Sequence, residues 1–262
     1  MKNTIIIKNR NVKLRNPILI AGFPGVGNVG KIVVRHLKKE FKAKRIATVY
    51  SPGFPPQVMM KRNGGLRFLN NSFYVIKRQK SESDIVLLTG DVQAMTQESQ
   101  YEINEAIVDF FTGELGGKFI YTIGGYNSGE GSIEKPRVFA NATSPSVFSM
   151  FKKSDILIGK SRGTIMGSAG MILAFAKMKR IPGICLMGET KIMDLDASAA
   201  KAVIMVLSDA INLKVDTNNL DIIIRNTAEA IKEAEKQMNS QGSRVLKQAA
   251  TYPPTYVNAL VI

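Results

Sequence analysis

The chain has one cysteine, one histidine and no long apolar run, and each shortage removes a class of protein. Cys185 cannot form an internal disulfide and sits in the apolar stretch IPGICLMG, so it reads as a buried packing thiol. A reducing, cytoplasmic compartment fits that usage. His36 falls in a basic helical pattern and reads as a surface or half-buried side chain. One histidine with one cysteine supplies neither a nucleophile–histidine pair nor a transition-metal cluster. No stretch approaches the roughly 18 apolar residues a membrane span needs. The opening MKNTIIIKNRNVKLRNP breaks after three apolar residues at Lys8, which is too short for a signal-peptide core. No targeting segment, membrane association or metal is therefore expected, and the sequons at Asn70 and Asn141 carry no meaning.

Acidic residues are also scarce: 21 Asp and Glu stand against 36 Lys and Arg, a formal charge of +15. Such a balance favours acidic partners in general. The basic residues, however, are dispersed over KNRNVKLR, RHLKKEFKAKR (35–45), KRQK (77–80) and KMKR (177–180), without interleaved aromatics. A single-strand groove needs that interleaving, so lysine here reads as solubilising and nucleic acid is not the expected partner.

What is present is 262 residues with 45 % hydrophobic and 22 % charged content, enough to bury a core without staples. PILIAGF (17–23), RIATVY (45–50), DIVLLTG (84–90), GGKFIYTIGGY (116–126) and IPGICLMGE (181–189) read as buried strands. Helical patterns follow at 30–41, 97–115, from near Gly170 to 180, 196–212 and about 217–239. Thr96 is the expected cap of the second helix, with Tyr101, Ile103, Ile107, Phe110 and Phe111 inward. QVMMKR, GLRFLN and SFYVIK are separated by Asn63-Gly64-Gly65 and Asn70-Asn71, both good hairpin chemistry. The alternation predicts a three-layer α/β fold: a mostly parallel mixed sheet flanked by helices, with an antiparallel strand insertion. One domain is expected over 1–240, followed by a tail over 241–262 whose Pro253-Pro254 forbids one regular element. Helix 196–212 is apolar on more than one side, which suits the core or a subunit contact.

GFPGVGNVGKI (22–32) carries the sharpest motif. Gly25, Gly27 and Gly30 have dinucleotide-loop spacing, but the acid required about 20 residues on is missing from ATVYSPGFPP. Gly25 to Lys31 matches a mononucleotide loop, yet Ile32 stands where a magnesium-binding hydroxyl belongs. Two readings stay open. The glycines allow close strand-to-helix packing, or an anion rests on the helix-start amides beside Gly25, Gly27, Gly30 and Lys31. In the second case a small-molecule or nucleotide-binding enzyme would use a strand-end crevice with Asp91, Gly124, Gly125 and Glu189. A buried hydrogen-bonding role for the two carboxylates is the alternative, and Glu98, Glu102 and Glu105 read as a solvated helix face.

Taken together, GFPGVGNVGKI, LLTGDVQ (87–93), IGGY (123–126), GTIMGSAGMIL (163–173) and CLMGET (185–190) resemble the proteasome assembly chaperone 2 family, especially its archaeal members. They fall in that order across residues 17 to about 210. The resemblance implies a phosphorylase/hydrolase-like α/β fold, no enzymatic activity and no cofactor. It also implies a chaperone or adaptor role toward proteasome alpha subunits, exerted as a homo-oligomer. Archaeal relatives that bind the proteasome are expected to end in hydrophobic–tyrosine–any residue, docked between alpha subunits with the terminal carboxylate on a lysine. This chain reads Leu260-Val261-Ile262 there, with valine in place of tyrosine. The partner-binding residues implied are Leu260, Val261 and Ile262, or Tyr256 within PPTYV at 253–257. Alternatively the copy belongs with relatives that do not bind the core particle, or Val257, Leu260, Val261 and Ile262 pack on the body or on a neighbouring subunit.

Overall fold

Four runs of the chain are apolar without alternation, the mark of strands covered on both faces. In the computed structural model, which describes residues 3–79, 81–129, 135–151, 155–160, 163–191, 195–226 and 229, these runs form the centre of one sheet. The strands in chain order are β1 (Ile5–Lys8), β2 (Ile18–Gly22), β3 (Lys44–Tyr50), β4 (Val58–Met60), β5 (Leu66–Phe68), β6 (Asn71–Ile76), β7 (Ile85–Gly90), β8 (Phe119–Tyr126), β9 (Val138–Ala142), β10 (Ile156–Ile158) and β11 (Gly183–Glu189). The helices are α1 (Val29–Glu40), α2 (Gln97–Asp109, continued by a π turn over Phe110–Glu114), α3 (Ser168–Met178) and α4 (Ala197–Ile211).

Nine strands lie in the order β1-β3-β6-β7-β2-β8-β11-β9-β10. The central four, β7-β2-β8-β11, are mutually parallel. Antiparallel pairing enters on one flank through β6, β3 and β1 and on the other through β9, so the sheet is mixed as expected. Helices cover both faces. Leu19, Ala21, Val86, Leu88 and Ile120 pack with Ile103 and Ile107 of α2 and Ile172 and Phe175 of α3. The alternate residues Ile18, Ile20, Ile85, Leu87 and Tyr121 face the other way, where α1 lies over β2, β7 and β8 and packs on α4. Helix α4 buries Ala199, Val203, Ile204 and Leu207, so of the two expectations for it the core one holds.

Residues up to Thr217 form this unit, and 218–226, which are helical, belong to a second unit. The rest of the expected helix over 217–239, and the tail, fall outside the described residues.

Three local expectations need correction. Asn63-Gly64-Gly65 does close a hairpin, with the Lys61 amide donating to the Gly65 carbonyl (2.8 Å), but β4 and β5 pair only with each other. Asn70-Asn71 is not a hairpin turn: Asn71 already belongs to β6, where the chain crosses into the main sheet beside β3 and β7. Tyr101 is 60 % exposed, although its ring meets Phe175 edge-on at 6.1 Å; Ile103, Ile107, Phe110 and Phe111 are buried as expected. Helix α3 starts at Ser168, near Gly170 as expected. Strands β1, β9 and β10 were not apparent from sequence pattern, because three to five residues at a sheet margin carry too little periodicity.

Candidate functional site

The parallel strands β2, β8 and β11 end at one edge of the sheet, the usual location of a ligand crevice in such folds. A cleft of about 550 Å³ opens there. Gly25, Val26 and Gly30 line it from the glycine loop, Ile123 to Asn127 from β8 and beyond, and Ile165 to Gly167 from the approach to α3.

The loop is shaped by backbone contact. A Cβ on Gly30 would overlap the Ile123 carbonyl oxygen and stand 3.1 Å from the Gly22 Cα, and one on Gly125 would overlap the Val26 carbonyl oxygen. Glycine at 22, 30 and 125 therefore lets the first turn of α1 sit directly on β2 and β8. Gly27 has φ 60° and lies against Thr190, and Asn28 follows in the left-handed region at φ 49°.

Side chains then pin the loop in place. Gln93 Nε2 donates to the Pro24 carbonyl (2.6 Å), while its Oε1 accepts from the Ser168 amide at the start of α3 (2.7 Å). The Gly27 carbonyl accepts from the Asp196 amide (2.9 Å). Asp196 in turn caps α4 through the Ala199 amide (2.9 Å) and accepts from the Thr190 hydroxyl (2.6 Å). Gln93, within LLTGDVQ, carries no sequence signal of its own, since a lone glutamine reveals its role only once two loops converge on it.

The residues expected to form an anion site are divided. Gly25 and Gly30 line the strand-end cleft, Gly27 is buried behind it, and Lys31 lines a separate groove. Neither carboxylate lines the cleft. Asp91 accepts from Arg67 NH1 and NH2 (2.5 and 2.9 Å) and from the Asn70 amide (3.1 Å), which ties the β4–β5 hairpin to the end of β7. Burial works to raise its pKa, but the Arg67 and Asn70 hydrogen bonds and the charges of Arg67 and Lys31 hold it below the ordinary carboxylate value. Glu189 is fully buried and meets Arg137 Nε and NH2 at 2.7 and 2.5 Å and the Arg137 amide at 3.2 Å. Those Arg137 hydrogen bonds pull its pKa down to about 2 against the cost of burial. The buried hydrogen-bonding role holds for Glu189, and Asp91, half-buried, is likewise engaged by hydrogen bonds.

Among the described residues, the only titratable side chain lining the cleft is that of Tyr126, beside the polar Gln93, Gln100, Asn127 and Thr164. No group of three or more His, Cys, Asp or Glu that could hold a metal occurs among them. Burial pushes the Cys185 thiol up to about 11, as befits a packing residue. His36 Nε2 lies 2.8 Å from the Asp216 carbonyl and 3.1 Å from Glu40, away from the cleft. Glu98, Glu102 and Glu105 are exposed, as read from their spacing. No helix among the described residues is long and apolar enough to cross a membrane. Tyr256, Leu260, Val261 and Ile262 lie outside the described residues.

The chain thus folds as a nine-stranded mixed α/β sheet whose glycine turn is packed on the strands, with no charged side chain among the described residues that line the strand-end cleft. The chain belongs to the PAC2 family, which residues 19–238 match. It is similar to the uncharacterized protein MJ1210 of Methanocaldococcus jannaschii, with 34 % identity over 92 % of this chain and 90 % of the relative. Among solved structures it is similar to Pyrococcus furiosus PbaB, described as an archaeal proteasome activator: 33 % identity, TM-score 0.84, covering 90 % of this chain and all of that one. Pyrococcus furiosus PbaA, an archaeal homolog of proteasome-assembly chaperone, shares the fold at 23 % identity and TM-score 0.76, over 95 % of this chain and 99 % of PbaA.

Proposed function

We propose that this protein is a non-enzymatic assembly chaperone or adaptor of the proteasome that acts through its surfaces on alpha subunits. The observation that carries the reading is its likeness to the proteasome activator PbaB, 33 % identical over 90 % of the chain. The site chemistry agrees with it. The glycine loop is occupied with backbone packing, and both strand-end carboxylates are committed to arginines.

Self-association is part of the proposal. Val58, Met60, Leu66 and Phe68 share one face of the β4–β5 hairpin, because Val58 opposes Phe68 and Met60 opposes Leu66. All four are at least half exposed, from 50 % to 85 %, an apolar face of the kind that marks interaction surfaces. The segment 251–262 is proposed as the proteasome contact, through Leu260, Val261 and Ile262 or through Tyr256. Affinity purification of the tagged full chain from native extract, with mass spectrometry of the bound proteins, tests the reading. Alpha subunits recovered above background support it, and their absence beside an intact, folded bait sinks it.

A further inference from the structure

Lys31 belongs to a different place from the one its motif suggested. We propose that the groove between α1 and the β3–β6–β7 flank of the sheet binds a compact anion carrying two or more linked phosphoryl groups. The groove holds about 370 Å³, at the small end for ligand sites.

Lys31, Arg35 and Lys38 follow one another at helical spacing along one stripe of α1, and Arg45 of β3 and Arg67 of β5 face them. Among the described residues, the only acid lining the groove is Asp91, and it already accepts both terminal nitrogens of Arg67. Five cations thus meet one neutralised carboxylate. Arg35 and Arg45 have no ion-pair partner among the described residues. Lys38 Nζ lies 4.8 Å from the centre of the Tyr74 ring, which places it over the groove floor.

A second observation comes from that floor. Thr89 is 91 % buried, lines the groove opposite Ser72 in the β6–β7 register, and its hydroxyl has no hydrogen-bond partner. A buried hydroxyl without a partner is costly, and a ligand oxygen would satisfy it. Guanidinium groups hold phosphoryl oxygens in two-pronged fashion, which suits the pair of unpartnered arginines.

In the other basic clusters, Lys77 is taken by Asp84, Arg78 by Glu82 and Lys179 by Asp109. A groove of about 370 Å³ suits a short phosphate chain better than a polymer.

Isothermal titration of the full chain with magnesium-free tripolyphosphate tests the proposal, with ATP and a fifteen-residue oligothymidylate as further arms. Arg35→Ala/Arg45→Ala should weaken tripolyphosphate binding by about tenfold or more, the loss of at least one charge-assisted contact. Lys118→Ala/Lys177→Ala removes two exposed charges elsewhere and should change it less than about twofold. Thr89→Val should weaken binding a few-fold while leaving the melting temperature unchanged or raised, the opposite of what a purely structural hydroxyl would do. Equal affinity for tripolyphosphate and ATP assigns the site to the phosphate chain alone, whereas tighter ATP adds a nucleoside contact; both support the proposal. It is overturned by no binding at millimolar tripolyphosphate, by equal losses in both double variants, or by an oligonucleotide that binds more tightly than tripolyphosphate. None of these outcomes depends on proteasome binding.

Discussion

Replacing Gly30 by alanine separates a packing turn from a ligand loop. The new methyl would overlap the Ile123 carbonyl oxygen and crowd the Gly22 Cα at 3.1 Å and the Ile123 carbonyl carbon at 3.2 Å. These neighbours are backbone atoms of the central sheet, so no rotamer change can relieve the overlap. Helix α1 must lift by on the order of 1 Å, enough to forfeit a quarter to a half of each affected contact. The lift loosens Val29, Val33, Val34 and Leu37, the buried residues of that helix. Overpacking of this kind costs about 1–3 kcal/mol, and the loosened contacts add to it, while alanine regains about 1 kcal/mol of helix propensity. A net loss of about 2 kcal/mol is expected, or a melting temperature lower by roughly 4–8 °C in a chain this long. Gly113→Ala is the matched control: nothing lies within 4 Å of its added carbon and its φ is ordinary, so stability should stay level or rise by up to about 1 kcal/mol. Thermal denaturation of the two variants beside the parent decides the matter. If Gly30→Ala melts with the parent and instead abolishes binding of a phosphate-bearing ligand, the packing account of the loop is wrong.

Other consequences follow from the buried carboxylates and the hairpin. The Glu189 carboxyl titrates at about 2 when folded, below its ordinary value, so its stabilisation is complete above about pH 4.3 and drains away as pH falls toward 2. Because Arg137 is 43 % exposed, that contribution is about 2 kcal/mol, and Glu189→Gln should flatten this part of the acid denaturation profile. Asp84 accepts from the amides of Arg15 (2.8 Å) and Arg78 (3.1 Å) and from Lys77 Nζ (2.9 Å), so Asp84→Ala should cost about 2–3 kcal/mol in a urea titration. Met60→Glu/Leu66→Glu should leave the melting temperature within about 2 °C of the parent, since both side chains are exposed, yet shift sedimentation toward the monomer.

The central architecture could be read from the chain because it rests on local pattern. ILIAG, IVLLTG and GICLMGE are uninterrupted apolar runs, and such runs have little choice but the middle of a sheet. The hairpin turn at Asn63-Gly64-Gly65 was equally legible, since its chemistry is local. What escaped detection depends on partners distant in sequence. VFANA becomes a strand because β11 offers it a paired edge, and Asn71 opens β6 instead of closing a turn because β3 and β7 receive it. Glu189 and Asp91 were recognised as strand-end acids, but their arginines lie 52 and 24 residues away and cannot be matched by spacing. The groove was hidden for the same reason. Lys31, Arg35 and Lys38 lie at helical spacing within α1, whereas Arg45 and Arg67 join them only through the sheet.

The account stands most directly on whether the folded chain engages proteasome particles. Native mass spectrometry of the purified protein mixed with core particles from the same cells should show a complex for the full chain and none after deletion of 251–262, with the proposed self-association of the protein unchanged. A complex that survives the deletion would remove the tail from the account. No complex with either form, while both are folded, would contradict the account as a whole.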